Sequence, residues 1–261
     1  MTASAATPWL ASRLSGGLRT AAVFARSPQA VYVDDGGVAV GVLARSAVAV
    51  PVGLRTRLDR LPGPRTGADD TAVVGAGGIR LDGQTFEVAR VATAEVPRLS
   101  GLTEAVGSLR DWVLPGADRR LDAARAQLPA DALRLLATAD PAAVPHLLGR
   151  GDGVTPVGDD VLAGWLVSRH AAGVTGGPVA AAIARSRDRT TTLSATLLDR
   201  AAAGEAVPPL RRLLVGLAAG ESPDHVRARL DELLDVGHSS GAGLALGVTL
   251  ALDPELPVGQ P

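Results

Sequence analysis

The run Gly149-Arg150-Gly151-Asp152-Gly153-Val154-Thr155-Pro156-Val157-Gly158-Asp159-Asp160 holds four glycines within ten residues and then opens a helical pattern. Such a loop can turn several backbone N–H groups toward one anion, and the positive end of the following helix adds to the attraction. The loop lacks the Lys-Ser/Thr of a P-loop and does not follow a Val/Ile strand of a βαβ unit. Neither a Walker sequence nor a dinucleotide fingerprint therefore describes it. Gly151, Gly153, Thr155 and Gly158 are candidate ligand-binding residues. Asp159 and Asp160 are candidate catalytic carboxylates. They could also hold Mg²⁺ through water, beside a phosphate or carboxylate ligand. A tight turn with Asp159 as the helix cap is the plain alternative.

Two further polar clusters stand out. Gly237-His238-Ser239-Ser240-Gly241 puts a histidine beside two hydroxyls at a helix start. His238 is a candidate acid or base there, with Ser239, Ser240 and Gly241 as ligand contacts. An exposed turn with Ser240 as N-cap reads equally well. Arg187-Asp188-Arg189-Thr190-Thr191-Thr192-Leu193-Ser194 offers guanidinium groups suited to a carboxylate or phosphate, and Thr191 and Thr192 as hydroxyl donors. A solvated helix end is its alternative. His146, His170 and His225 lack such context and read as surface or helix-end residues. Asp34-Asp35 and Asp69-Asp70 read as turn carboxylates.

The elements that must position these residues fall into two kinds. Over residues 20–98 short Val-rich runs alternate with turn residues. Ala30–Val33 and Val38–Leu43 flank Asp34-Asp35-Gly36-Gly37 as a hairpin. Ala47–Val50 reads as a strand ending at Pro51. Thr71–Val74, Ile79–Leu81 and Thr85–Val88 follow, joined by Gly75–Gly78 and by Asp82-Gly83. Six or seven short strands imply a small antiparallel sandwich or barrel. After Pro97 the pattern turns helical: 118–128, 130–137, 141–148, 160–172, 178–184, 192–203, 208–219, 223–236 and 242–252. Proline behind Ser222 marks one helix start. The expectation is an α+β protein, with a small antiparallel β-rich N-terminal domain over residues 1–98, an α-helical C-terminal domain over 99–252, and a loose tail over 253–261. Gly158–Gly164 and Gly241–Gly247 share a glycine at the helix start and another six residues on. That match predicts two helices approaching backbone to backbone, their starts facing one pocket.

Composition limits what this arrangement can do. The 261 residues carry 26 Lys+Arg against 27 Asp+Glu, a formal net charge of -1. This near-balance argues against a nucleic-acid or membrane-surface partner. Without Cys there is no disulfide framework, thiolate metal site or thiol nucleophile. Every basic residue is Arg, so Schiff-base and P-loop lysine chemistry are excluded. Aromatic residues make up 2%, too few for base-stacking platforms. No apolar run suits a membrane span, and the start shows no signal-peptide pattern. A cytoplasmic location is expected.

The glycine-rich run, read as Gly-x-Gly-x-Thr-Pro-x-Gly-Asp-Asp-x-Leu-x-Gly over Gly151–Gly164, resembles the hallmark of the bacterial family of the AllH subunit of oxamate carbamoyltransferase. The likeness continues through Thr191–Ala195, Leu198 and Ala201–Glu205, returns at Gly237–Gly241, and extends weakly through the β-rich part. It implies a role near carbamoyl transfer in allantoin breakdown, where oxalurate and phosphate exchange with oxamate and carbamoyl phosphate. It also implies small anionic ligands and sister carbamoyltransferase subunits as partners. Within it, Asp159 and Asp160 would hold Mg²⁺ or polarise a carbamoyl nitrogen. The alternative is a non-catalytic ligand-binding or scaffold subunit of a multi-subunit complex. One departure stands out: where the family's second motif usually carries an acid two positions after its glycine, this chain has Gly243.

Overall fold

The computed structural model describes residues 1–63, 70–253 and 255. They form two compact units, Met1–Ala94 and Glu95–Pro261. The loose tail expected over 253–261 lies outside the described residues, except for Asp253 and Glu255. Asp69 does too, while Asp70 pairs with Arg26 at 2.5 Å. No helix among the described residues is long and apolar enough to cross a membrane.

The first unit holds β1 (Thr2–Ala6), α1 (Pro8–Leu14), β2 (Arg19–Arg26), β3 (Ala30–Asp34), β4 (Ala39–Leu43), β5 (Gly53–Arg55), β6 (Thr71–Gly75), β7 (Gly78–Leu81) and β8 (Gln84–Val91). The strands close into a barrel in the order β1-β5-β4-β3-β2-β6-β7-β8. This corrects the expected small antiparallel domain: the α+β class holds, but the sheet is an eight-stranded closed barrel of mixed direction. β1 runs parallel to β8, and β4 parallel to β5. The reason is closure. The N-terminal strand seals the barrel against the last one, and β5 must return alongside β4 in the same direction. Residues 44–52 carry the chain back for that return, so Ala47–Val50 is loop and not strand.

The hairpin turns follow their sequences. Asp82 and Gly83 both take positive φ, 51° and 80°, between β7 and β8. That is the pairing a two-residue primed turn demands, and Gly supplies half of it without strain. Thr7 starts α1, accepting the Leu10 N–H at 3.2 Å with Pro8 behind it. Leu10 and Leu14 are fully buried, and α1 packs against β1, β6, β7 and β8.

The second unit holds α2 (Leu102–Ala105), α3 (Arg110–Val113), α4 (Arg119–Arg125), α5 (Ala130–Ala137), α6 (Val144–Leu147), α7 (Val157–Ala171), α8 (Gly177–Arg185), α9 (Thr192–Ala202), α10 (Pro208–Ala218), α11 (Pro223–Leu234) and α12 (Ser240–Leu252). α7 and α12 form its centre and are buried along most of their length. A helix apolar all round belongs in a core. The matching glycines explain how close the two come. A Cβ on Gly164 would collide with the Leu244 carbonyl, and one on Gly247 with the Val161 carbonyl. The backbone-to-backbone approach expected from Gly158–Gly164 and Gly241–Gly247 is therefore present.

Candidate functional site

The starts of α7, α9 and α12 meet at the glycine-rich loop. Thr155, just before α7, lies with its Oγ1 3.0 Å from Ser240 Oγ at the start of α12. Thr191 caps α9 by accepting the Ser194 N–H at 3.1 Å and donates to the Val154 carbonyl at 2.8 Å. Thr190 donates to Asp159 Oδ2, and the Gly149 N–H donates to Asp159 Oδ1 at 2.7 Å. Three positive helix ends thus share one loop. Gly149, Gly151 and Gly153 take φ of 74°, 109° and 98°, a region side chains avoid. At Gly149 a side chain would also strike the Arg189 carbonyl.

The structure sorts the candidate residues. The Gly158 N–H donates to the Arg150 carbonyl at 2.9 Å, which commits it to the loop. Among the described residues no hydrogen bond uses the N–H of Gly151, Asp152, Gly153, Val154 or Thr155. Asp152, Gly153 and Val154 are exposed. Free donors therefore lie just before α7 rather than inside it. Asp159 sits in the first turn of α7, not at its cap, which is Pro156. Ser239 is the N-cap of α12, and Ser240 is its first helical residue. Gly241 is buried, where a Cβ would meet the Leu233 carbonyl. The Thr192 carbonyl accepts from Thr196 at 2.7 Å. His238 is exposed on the turn before α12, as are His146 and His225 elsewhere. His170 is half-buried, 3.6 Å from Glu95.

The arginines offered for anion binding are engaged elsewhere. Arg187 pairs with Asp199, and Arg189 donates to the Pro145 carbonyl at 3.0 Å. The two acids also diverge. Asp159 gives both oxygens to the loop and to Thr190, whereas Asp160 faces α12, its Cβ 2.7 Å from the place a Gly243 Cβ would take. Burial raises the Asp159 carboxyl, against the pull of the Gly149 N–H and of the Thr190 and Ser194 hydroxyls. Burial raises Asp160 further, well above the usual carboxylate range. The Ser240 hydroxyl opposes this, and the Asp159 charge adds to it. Asp160 Oδ2 is buried and, among the described residues, has no hydrogen-bond partner. Each Asp159 oxygen accepts one hydrogen bond, from the Gly149 N–H and from the Thr190 hydroxyl, and the two carboxylates face different neighbours. Among the described residues no group of three His, Cys, Asp or Glu could hold a metal ion.

The family model described as oxamate carbamoyltransferase subunit AllH matches residues 147–252. The matched stretch runs from the end of α6 through α12, so it includes the loop and all three helix starts. It covers less than half of the 261-residue chain and lies wholly in the helical unit. No solved structure matches the chain. Gly243, the departure from the AllH pattern, now has a physical setting. An aspartate there would enter the space filled by Asp160 and by the Val157 carbonyl, 2.9 Å from its Cβ. The missing acid and the tight α7–α12 contact go together.

Sequence reasoning missed Thr190. Its partner Asp159 lies 31 residues away in the chain. The only local hint was its place in a run of three threonines before a helix.

Proposed function

We propose that the helical unit binds a small phosphate- or carboxylate-bearing ligand at Gly151–Thr155, and that the protein serves as a subunit, or a relative, of an oxamate-type carbamoyltransferase in the cytoplasm. One observation carries this reading: three helix starts converge on a loop with unengaged N–H groups, inside the stretch that matches the AllH model. In this reading the N–H groups of Gly151, Gly153 and Thr155 receive the anion. The Thr155 and Ser240 hydroxyls contact its polar end. Gly158, Asp159, Thr190 and Thr191 hold the loop in shape. Asp160 sets the polarity beneath it, and His238 would exchange a proton with the ligand. Sister carbamoyltransferase subunits would be its partners. Binding is expected without Mg²⁺, because among the described residues no group of three His, Cys, Asp or Glu gathers to hold it.

A second reading, a ligand-binding or scaffold subunit without catalysis, is favoured by the engagement of Asp159 and the burial of Asp160 Oδ2. Thermal unfolding with phosphate, carbamoyl phosphate or oxamate, each with and without Mg²⁺, tests the shared part. A ligand at 100 times its Kd stabilises by about 2.7 kcal/mol, roughly 5–10 °C for a chain of this size. No shift with any of them would sink the anion site. Turnover of carbamoyl phosphate by the chain together with sister subunits, lost in His238→Ala while the thermal shift persists, would favour the catalytic reading. Equal turnover in that variant would favour the scaffold.

A further inference from the structure

Three polar groups form a relay from the interior of the helical unit to its glycine-rich loop. Asp160, in the first turn of α7, is 8% exposed. Its carboxyl is hydrogen-bonded to the Ser240 hydroxyl at the start of α12, and Ser240 Oγ lies 3.0 Å from Thr155 Oγ1. Ser240 and Thr155 are half-buried, and Asp152, Gly153 and Val154 beside them are exposed. The relay thus leads from the dry α7–α12 contact to the N–H groups left unengaged in the loop. From its own helix Asp160 meets the Asp159 charge, and from α12 the Ser240 hydroxyl and the bare backbone of Gly243. The Thr190 and Ser194 hydroxyls at the start of α9 face Asp159. His238 stands on the exposed turn before α12. Among the described residues no cation pairs with Asp160.

The direction of the relay depends on one proton. A hydroxyl can donate only once. When Asp160 is ionised it accepts from Ser240. Ser240 then accepts from Thr155, and Thr155 turns lone pairs toward the loop. When Asp160 holds a proton it donates to Ser240, Ser240 donates to Thr155, and the Thr155 O–H is left for a ligand oxygen. An anion held by backbone N–H groups is attracted by the second arrangement and repelled by the first. The surroundings of Asp160 favour the second as well. Its Oδ2 is buried and has no partner among the described residues. An unpaired position of that kind costs far less for the carbonyl oxygen of a neutral acid than for the oxygen of a carboxylate. Burial and the Asp159 charge both hold the proton on.

We propose that Asp160 is a positioning residue that acts through Ser240 and Thr155: holding a proton, it makes the Thr155 hydroxyl a donor to the anion at Gly151–Thr155, and losing that proton reverses the relay and weakens the anion's hold. This rests on the anion site proposed above. Where Asp160 is ionised in the free chain, binding takes up as much as one proton from solvent. Sulfate and oxamate keep their charge between pH 5 and 9, so calorimetric titration of the full chain with each, at several pH values in that range, reads the relay directly. Asp160→Asn keeps a donor for Ser240 and carries no charge. The parent should match Asp160→Asn at pH 5 and bind about tenfold or more weakly than it at pH 9. His238 and Asp159 are present in both proteins, so any slope they add cancels in the ratio. Thr155→Val removes the end of the relay. It should bind about tenfold more weakly than the parent at pH 5 and lose the extra fall toward pH 9. A constant ratio of parent to Asp160→Asn affinity across the range would overturn the relay and leave the anion site standing. So would a Thr155→Val profile as steep as the parent's, which bare repulsion by the Asp160 charge would give. No binding of either anion to parent or Asp160→Asn at any pH would overturn the anion site and the relay with it.

Discussion

Asp35 in the barrel unit and Asp160 in the helical unit are buried to a similar degree, 4% and 8% exposed, yet their surroundings push them in opposite directions. Burial raises the Asp35 carboxyl, but the hydrogen bonds and charges of Arg19 and Arg13 outweigh it and leave the group below its ordinary range. Around Asp160 burial is opposed by the Ser240 hydroxyl, and among the described residues no cation pairs with it. A chain selected only for stability would pair such an acid or replace it. The barrel does the first and the helical unit does neither. The uncompensated acid lies beneath three converging helix starts, and perturbed carboxyls gather at functional sites. Close glycine contacts occur in both units. In the barrel a Cβ on Gly53 would press on the buried Leu43 side chain, and one on Gly78 on the Phe86 carbonyl. On Gly164 or Gly247 it would press on backbone. The α7–α12 contact is what keeps Asp160 dry.

The largest expected effect tests that last link. Gly164→Val should destabilise the chain by more than about 3 kcal/mol, because a branched side chain must displace the α12 backbone. Gly53→Ala should cost less, about 1–3 kcal/mol, since the Leu43 side chain rather than backbone has to shift. Urea unfolding of the two variants measures both. Equal losses would show that a clash with backbone costs no more here than a clash with a buried side chain.

Next come the acids themselves. Asp35→Asn should cost about 3 kcal/mol, the lower end for breaking a buried pair, because the two guanidiniums are about a third exposed. Asp160→Asn should leave stability at pH 7 within about 1 kcal/mol of the parent, or raise it. The pH dependence has opposite signs. The depressed Asp35 contributes stability present above its unfolded pKa near 3.9, lost as pH falls through its lower folded value. The raised Asp160 contributes stability that is full below about pH 3.9 and lost as pH rises through its higher folded value. Unfolding free energies between pH 3 and 7 should therefore show a penalty growing with pH in the parent and smaller in Asp160→Asn, where the raised Asp159 and Glu205 remain. They should show an acid loss that is smaller in Asp35→Asn, where the depressed Asp118 remains. A parent and an Asp160→Asn variant with superimposable profiles would mean Asp160 ionises freely in the folded chain.

Local order was legible in the sequence, and non-local order was not. The hairpin turns and the helices from Arg119 onward could be read because each rests on neighbouring residues: Asp82-Gly83 for a turn, Pro223 behind Ser222 for a helix start. β5, only three residues long, carries no period. The parallel β1–β8 pairing joins residues more than 80 apart, which no local pattern records. Thr7-Pro8 was a legible helix start, but the seven-residue α1 behind it was too short to stand out. The shorter helices between Leu102 and Val113 escaped for the same reason. At the site, the glycine loop, Asp159, Asp160, Thr191 and Ser240 were visible as residue types, and the structure brings them to one place. What each group bonds could not be read. Asp159 clasps the loop, Gly158 is committed to Arg150, and Arg187 is committed to Asp199. Asp35 read as a turn carboxylate because its partners, Arg13 and Arg19, announce themselves only in three dimensions.

The smallest expected effect separates holding a helix from holding a site. Thr7 and Thr191 do the same two jobs in different units. Each accepts an N–H from the first turn of its helix, and each donates to a distant carbonyl: Thr7 to Pro51 at 3.0 Å, Thr191 to Val154 at 2.8 Å. Thr7→Ala and Thr191→Ala should each cost about 1–2 kcal/mol, the value of a cap plus one hydrogen bond, and serine at either position should restore most of it. Their consequences for ligand should differ. The Val154 carbonyl belongs to the loop whose N–H groups face the anion in the proposed site, so Thr191→Ala should also reduce the thermal shift given by phosphate or oxamate. Thr7→Ala should lower the melting temperature and leave that shift intact. If both variants lose stability and keep the full shift, Thr191 is a helix cap and nothing more, and the loop holds its shape without it.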